Sequence, residues 1–180
     1  MRIITGTARG RKLTFPNGDH IRPTTSLVKE SIFNIIQFDI EGRKVLDLFA
    51  GTGQLGLEAL SRGAVSCDFV DASRDALALV KENLKHTQLA NGQVFLADGK
   101  NFITAGKTYD LIFLDPPYGY ETLDTIIEKI AQVDILSING IIVCETDVHV
   151  TLPQLAPPYQ KAKEYRYGKV KITLYQRGLS

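Results

Sequence analysis

Residues 44–53 have the sequence Lys-Val-Leu-Asp-Leu-Phe-Ala-Gly-Thr-Gly, and the prediction of the fold begins from them. The apolar run in the first six is typical of a short strand buried on both faces of a sheet. The last four, Ala50–Gly53, predict a turn rich in residues that accept positive φ. A helical pattern follows over 54–62 and ends at Gly63. This order predicts the opening of a nucleotide-binding α/β unit, with a ligand over the helix N-terminus.

Strands and helices alternate along the rest of the chain, which predicts a Rossmann-like, mostly parallel sheet covered by helices on both faces. A final pair of alternating segments around Gly168, 161–167 and 169–176, predicts an antiparallel hairpin at one edge. Residues 1–15 predict a smaller β-hairpin. The other predicted strands are 66–70, 93–97, 109–114 and 140–144, and the other predicted helices are 26–38, 74–87, 100–105 and 121–132. One domain over 1–180 is expected, with an extension over 1–25 and a core over 26–180.

The composition suits one globular domain, since 44% of the 180 residues are hydrophobic. No apolar run approaches the roughly 20 residues that span a bilayer, and the N-terminus lacks a signal-peptide pattern. A cytoplasmic protein without a membrane partner is therefore expected. Cys67 and Cys144 fall in predicted buried strands without a histidine cluster, so free thiols and no metal are expected. A monomer is also expected.

The net charge of +1 hides an uneven distribution. Residues 1–29 and residues 160–177 each carry a net charge of +5, which leaves −9 for the remainder. This pattern fits two polyanion-binding ends around an acidic site, although solvated surface charge near the termini is an open alternative. The basic residues are Arg2, Arg9, Arg11, Lys12, Arg22 and Lys29 in the first segment, and Lys161, Lys163, Arg166, Lys169, Lys171 and Arg177 in the second.

The glycine turn is compatible with two classes of nucleotide ligand. Gly51, Gly53 and Gly56 match the dinucleotide pattern G-x-G-x-x-G, and Asp71 lies 20 residues beyond Gly51, where an acidic residue binds ribose. However, Asp47 beside the turn would repel a pyrophosphate and attract a ligand that bears an ammonium and a sulfonium. With Asp71 and Asp98 both ending predicted strands, one can hold the ribose and the other the adenine amine. We therefore favour S-adenosylmethionine, although each aspartate alone could simply satisfy loop amides.

Asp115-Pro116-Pro117-Tyr118 follows another buried strand and indicates the chemistry. An exocyclic base amine is a poor nucleophile because its lone pair is delocalised into the ring. A carboxylate on Asp115 and the carbonyl of Pro116 can accept its hydrogen bonds and stabilise the charge that develops on it. Two prolines stiffen the turn, and Tyr118 offers a face on which the base can stack. A structural turn with a surface tyrosine is the alternative.

These motifs together resemble the bacterial RsmD family of small-subunit ribosomal RNA guanine-N2 methyltransferases. The resemblance extends from the first residues to the last hairpin. The segments that carry it are Arg22–Thr25, Val28–Asn34, Asp47–Gly63, Phe113–Tyr118 and Gly168–Arg177. Two positions depart from the family's usual sequence: Ser26-Leu27 replaces Asp-Arg, and Asp71 replaces Glu. A contact that the charged pair makes in the family is therefore in doubt here.

The resemblance implies a seven-stranded class I methyltransferase sheet and a guanine of 16S ribosomal RNA, in the small subunit or its assembly intermediate, as target. It implies catalytic roles for Asp115, Pro116 and Tyr118. It implies cofactor contacts from Asp47, Phe49, Ala50, Gly51, Gly53, Asp71, Ala72, Asp98, Gly99 and Thr24. The residues expected to contact RNA are Arg9, Arg11, Lys12, Arg22 and Tyr118. The alternatives are a DNA adenine-N6 methyltransferase, for which the chain has no room for a recognition region, and a non-catalytic RNA-binding assembly factor.

Overall fold

The computed structural model describes residues 1–15, 26–117 and 122–179. Within these residues one seven-stranded sheet has the order β3-β2-β1-β4-β5-β7-β6. The first five strands in the chain are parallel, and β7 pairs antiparallel with both β5 and β6. The strands are β1 Lys44–Asp47, β2 Ser66–Asp71, β3 Gly92–Leu96, β4 Tyr109–Leu114, β5 Leu136–Asp147, β6 Tyr159–Tyr167 and β7 Val170–Arg177. The predicted α/β sheet with an antiparallel C-terminal hairpin is therefore confirmed.

Helices cover both faces of the sheet. The helices are α1 Ser26–Ile35, α2 Gln54–Ser61, α3 Arg74–Thr87, α4 Gly99–Phe102 and α5 Leu123–Val133. Side chains of α1, α2 and α3 pack on one face with Val45, Phe113 and Val143. Side chains of α5 pack on the other face with residues such as Leu46 and Ile142. Every predicted helix exists, with ends that lie within three residues of the predicted ones.

Strand β1 lies inside the sheet, between β2 and β4. Its residues Val45, Leu46 and Asp47 are buried, as the unbroken apolar run predicted. Asp47 is paired in register with Phe113, so the carboxyl ends of β1 and β4 meet at one edge of the sheet. The glycine turn after β1 and the Asp115 turn after β4 are thereby neighbours.

Strand β5 is longer than the predicted strand over 140–144. Its first residues include a register shift relative to β4: Tyr109 pairs with Leu136, but Leu111 pairs with Ile141. The extra residues form a bulge, and Asn139 adopts a positive φ of 60°. Such a bulge breaks the alternation of apolar and polar residues, and the sequence pattern therefore predicted a strand that begins too late.

We call residues 1–15 the N-terminal ribbon. Their two halves are joined by less strand pairing than the predicted hairpin would have. One antiparallel bridge joins Arg2 and Lys12, supported by hydrogen bonds such as Ile3 N–H to Arg11 O at 3.0 Å. Ile3 and Leu13 enter the same apolar cluster as α1 and α2. The ribbon is therefore part of the packed core.

Both cysteines are buried and free. None of the helices in the described ranges is long and apolar enough to cross a membrane.

Candidate active site

Four aspartates lie where strands end, at one edge of the sheet. Asp47 and Asp71 are the last residues of β1 and β2, Asp98 follows β3, and Asp115 follows β4. These four strands are consecutive in the sheet order, so the aspartates form a row across its carboxyl edge. Open α/β sheets bind ligands at this edge, which makes the row the candidate active site.

Asp47 is the most buried of the four, with 1% of its surface exposed. Its Oδ2 accepts a hydrogen bond from Gly56 N–H at 2.9 Å. Burial, with smaller effects from the charges of Asp115 and Asp71, raises the pKa of Asp47 to about 7 against the opposing effect of that hydrogen bond. A carboxylate in these surroundings is stabilised by a cation that enters the site.

Asp71 holds the glycine turn in place. One carboxylate oxygen accepts from Gly51 N–H at 2.9 Å, and the other accepts from Ser73 N–H at 2.8 Å. Gly51 and Gly53 have φ values of 53° and 79°, which L-residues with a Cβ rarely adopt. No atom of the described residues lies within 4 Å of a Cβ built on Gly51, so the turn is open on its outer side, as a backbone that receives a ligand must be.

Gly56 has the packing role that the third glycine takes in the dinucleotide pattern. A Cβ at this position would lie 2.3 Å from Phe69 Cε1 and 2.6 Å from Cys67 Sγ. The third glycine of the motif therefore allows α2 to pack closely against β2. It also brings the Gly56 N–H to the carboxylate of Asp47.

Asp98 is exposed and caps the short helix α4. Its Oδ1 accepts from Lys100 N–H at 3.0 Å and from Asn101 N–H at 3.2 Å. Gly99 is buried, and a Cβ at this position would meet Leu48 and Phe49 at 3.4 Å, which is ordinary van der Waals contact. The cap orients the carboxylate of Asp98, and this arrangement suits a carboxylate that accepts from an adenine amine.

Asp115 and Pro116 are half-buried, and Pro117 is exposed. Asp115 directly follows β4, whose last residues pair in register with β1, so Asp115 and Asp47 lie at the same edge of the sheet. Asp115 is close enough to Asp47 for its charge to raise the pKa of Asp47. The structure thus brings the two main predicted motifs to one edge of the sheet.

The remaining predicted residues divide into three groups. Thr24, Arg22 and Tyr118 lie outside the described residues. Among the predicted cofactor residues, Phe49 is half-buried, Ala50 is buried and Ala72 is exposed. Among the predicted RNA residues, Arg9 and Lys12 are exposed, whereas the Arg11 guanidinium donates to His86 O at 3.1 Å and to Gln88 Oε1 at 3.0 Å. Arg11 is therefore held against the end of α3.

Two residues at the site were missed by the sequence analysis. Gln54, the first residue of α2, is 7% exposed, and its Oε1 accepts no hydrogen bond from the described part of the chain. A buried acceptor beside a ligand-binding turn is an atom that a ligand can satisfy. Asn83 on α3 is fully buried, and its side chain bonds to Thr52 in the glycine turn. Gln54 could have been found from its position after Gly53, but nothing near Asn83 in the sequence signals its contact.

Comparisons with known proteins identify the family of this chain. A family described as "Conserved hypothetical protein 95" matches residues 1–176. Ribosomal RNA small subunit methyltransferase D of Escherichia coli is 34% identical over 98% of this chain and 90% of its own length. The same-named protein of Haemophilus influenzae is also 34% identical, over 98% of this chain and 93% of its own. The chain belongs to this family. The resemblance to RsmD proteins is thereby confirmed.

Solved structures of other proteins are similar in fold to this chain. The structure of yhhF from Escherichia coli has a TM-score of 0.90 at 34% identity and covers 100% of this chain and 99% of its own. SMU.776, complexed with SAH, has a TM-score of 0.69 at 20% identity, covering 88% of this chain and 52% of its own. The second likeness shows the fold alone.

Proposed function

We propose that the protein transfers a methyl group from S-adenosylmethionine to N2 of a guanine in 16S ribosomal RNA, in the small subunit or its assembly intermediate. The observation that carries the proposal is the position of Asp115 at the same edge of the sheet as Asp47 and the glycine turn. The family relatives named as small-subunit ribosomal RNA methyltransferases support the class of substrate.

The residues present fit the methyl donor. S-adenosylmethionine supplies, when bound, an electrophilic methyl group on a positively charged sulfur. The buried carboxylate of Asp47 favours a cationic ligand, and the open side of Gly51 leaves room for it. In this proposal, Asp71 exchanges its bond with Gly51 for ribose hydroxyls, and Asp98, which now caps α4, binds the adenine amine. Gln54 Oε1 is a further candidate acceptor for the ligand's ammonium.

Asp115 and Pro116 prepare the target amine. The carboxylate and the Pro116 carbonyl accept the two N–H groups of guanine N2, which directs the nitrogen lone pair out of the ring plane. As the N–C bond forms and the C–S bond breaks, both acceptors stabilise the positive charge on the nitrogen. The alkylated nitrogen is strongly acidic and gives its extra proton to solvent water, so no separate strong base is required. Preorganisation by the two prolines keeps these acceptors in position.

The assignment can be tested with a labelled methyl donor. Small subunits that lack the modification, naked 16S RNA and duplex DNA are each offered to the protein. Label on guanine N2 in the small subunit or its RNA is expected. Label on adenine of DNA would instead support the adenine-N6 alternative, and no label on any substrate would support a non-catalytic assembly factor.

The role of Asp115 has its own test. We expect Asp115→Ala to reduce kcat by at least roughly 100-fold, as is typical when an acceptor that acts only in the transition state is removed. Binding of S-adenosylmethionine, measured by calorimetry, should change little. Asp124→Ala, an exposed carboxylate on α5, is the matched control. Turnover by Asp115→Ala close to that of the parent would remove Asp115 from the mechanism.

A further inference from the structure

The side chain of Asn83 forms hydrogen bonds to two distant parts of the chain, the end of the N-terminal ribbon and the glycine turn. Its Nδ2 donates to Thr14 O at 3.0 Å and to Thr52 O at 3.1 Å, and its Oδ1 accepts from Thr14 N–H at 2.7 Å. The side chain is fully buried. One amide thus satisfies both backbone groups of Thr14 and, at the same time, the carbonyl between the two glycines of the turn.

The Thr52 bond fixes a peptide of the donor-binding turn. The carbonyl of this peptide points to Asn83, and its N–H, on Gly53, donates to Ala50 O at 2.7 Å. Both sides of the peptide plane are therefore determined, which holds Gly53 at a φ of 79°. Without the Asn83 amide, the Thr52 carbonyl would be buried without a partner or would rotate, and the turn would rotate with it.

The Thr14 bonds fix the last part of the N-terminal ribbon. Thr14 is followed by Phe15, which packs against the apolar cluster that contains α1. The ribbon also carries Arg9 and Lys12, two exposed residues that we predicted to contact RNA. Thr14 lies two residues beyond Lys12 in this ribbon.

We infer that Asn83 is a positioning residue that couples the methyl-donor turn to the N-terminal ribbon, which carries residues predicted to contact RNA. Only a side chain with one acceptor and two donors on a planar amide makes these three bonds together. A ligand that reorients the 52–53 peptide changes the bond that Asn83 can make to Thr14, and the reverse holds equally because coupling between sites is reciprocal. The inference rests on the proposed function, because it takes the methyl donor to bind at the turn and the RNA substrate to contact the ribbon.

Attachment of the ribbon to the core does not depend on Asn83. Glu58 accepts from the N–H groups of Ile4 and Thr5, at 2.8 and 3.0 Å. Ser61 Oγ donates to Thr5 O at 2.6 Å and accepts from Ala8 N–H at 3.0 Å. Removal of the Asn83 amide should therefore leave most of the ribbon in place and act locally, at Thr14 and Thr52.

The test measures coupling with four proteins: the wild type, Asn83→Ala, Asn83→Asp and Thr87→Val. Thr87 is a matched control because it is buried on the same helix and its hydroxyl donates to Asn83 O at 2.6 Å, without a hydrogen bond to Thr14 or Thr52. Asn83→Asp preserves size and the acceptor to Thr14 N–H but removes both donors. It serves as the second variant if Asn83→Ala does not fold.

Two dissociation constants are compared: that for unmodified small subunits alone, and that in the presence of saturating S-adenosylhomocysteine. We expect the ratio of the larger constant to the smaller one to be at least about fivefold in the wild type and in Thr87→Val. In both Asn83 variants the two constants should be nearly equal, so that the ratio is close to one. The affinity of the Asn83 variants for S-adenosylhomocysteine alone should fall roughly tenfold.

An unchanged ratio in the Asn83 variants, or no coupling in the wild type, overturns the inference while methyl transfer by the wild type still supports the proposed function. Absence of methyl transfer by the wild type overturns the proposed function, and this inference with it. If Asn83 has a purely structural role, its variants should lose thermal stability, as Thr87→Val does, and their ratio should equal that of the wild type.

Discussion

Among single residues, Asp47 shows most directly how ligand binding and folding oppose each other. Its pKa rises from an ordinary value of 3.8 to about 7, because the carboxylate is buried close to Asp115 and Asp71. A raised pKa means that the folded protein prefers the protonated acid more than the unfolded chain does. The contribution of Asp47 therefore becomes less favourable as the pH rises from about 4 to 7, and it stays unfavourable above that range.

Asp47→Asn is therefore expected to stabilise the free protein. The amide keeps an oxygen to accept from Gly56 N–H and removes the buried charge. The free energy of unfolding should increase by up to about 4 kcal/mol at pH 8, and the gain should become small near pH 4. Denaturant unfolding across that pH range, without ligand, measures it. A variant less stable than the parent at pH 8 would contradict the prediction.

Among the elements, α2 connects the site to the rest of the core. All eight of its residues are buried. The carboxylate of Glu58 on this helix pairs with the Lys29 ammonium at 2.9 Å and with Arg62 Nε at 2.9 Å. Burial alone would raise the pKa of Glu58, but Lys29, the Ile4 N–H and Arg62 outweigh it and lower the pKa. Glu58 therefore stabilises the fold above its ordinary pKa, and this contribution disappears in acid.

We expect Glu58→Gln to destabilise the protein strongly. Without the Glu58 carboxylate, the fully buried Lys29 ammonium loses the counter-charge that lies 2.9 Å away in the parent protein. The expected loss at pH 7 is about 3–5 kcal/mol, and it should shrink as the pH falls through the range where Glu58 itself becomes protonated. Urea unfolding measures it, with the exposed Glu128→Gln on α5 as control. Equal losses in the two variants would show that the buried pair is unimportant.

Helix α2 also depends on its close approach to β2 at Gly56. Gly56→Ala introduces a Cβ that overlaps Phe69 and Cys67, so α2 must move away from the sheet. We expect a decrease of roughly 1–3 kcal/mol in stability and weaker binding of S-adenosylmethionine, because the bond from position 56 to Asp47 is weakened. Gly178→Ala, which meets only Pro158 O at 3.5 Å, is the control. Unaltered stability and binding in Gly56→Ala would refute a packing role.

In the molecule as a whole, the structure separates basic residues that can meet RNA from those that are used internally. Lys171 donates to Val150 O, Lys161 donates to Leu152 O, and Arg177 pairs with Asp134. The exposed basic residues of the C-terminal hairpin are Lys163, Arg166 and Lys169. The turn between β6 and β7 lies at the carboxyl edge of the sheet, because Val170 pairs with Asp147 at the end of β5. It is therefore on the same edge as Asp115.

We accordingly predict that replacing Lys163, Arg166 and Lys169 together by Gln weakens binding to small subunits and reduces its salt dependence. The slope of log K against log salt should become less steep by roughly 0.7–0.9 for each phosphate that the hairpin no longer neutralises, or about 2 in total. The control replaces Arg43, Lys44 and Lys107, which lie at the opposite, amino edge of β1 and β4. If the control changes the slope as much as the test variant, the hairpin is not the RNA-binding surface.

Much of the fold followed from local pattern. Short strands, the glycine turn and amphipathic helices such as α3 have periodicities of about 2 or 3.6, which a single segment displays without its neighbours. The bulge in β5 escaped prediction because register is decided by the partner strand. At the site, Asp47, Asp71, Asp98 and Asp115 were predicted since each directly follows or ends a strand. Asn83 was not, because its partners lie 69 and 31 residues away.

The sequence by itself determined the succession of elements, the family, and the chemical types at the site. Turn geometry, burial periodicity and residue chemistry are local properties, and they suffice for these conclusions. Only the tertiary structure decided that Asp115 lies near Asp47 at one edge of the sheet, that Lys29 and Lys171 are unavailable to RNA, and that one amide joins the glycine turn to the N-terminal ribbon. These facts depend on strand order, register and desolvation, which arise only when distant segments pack together.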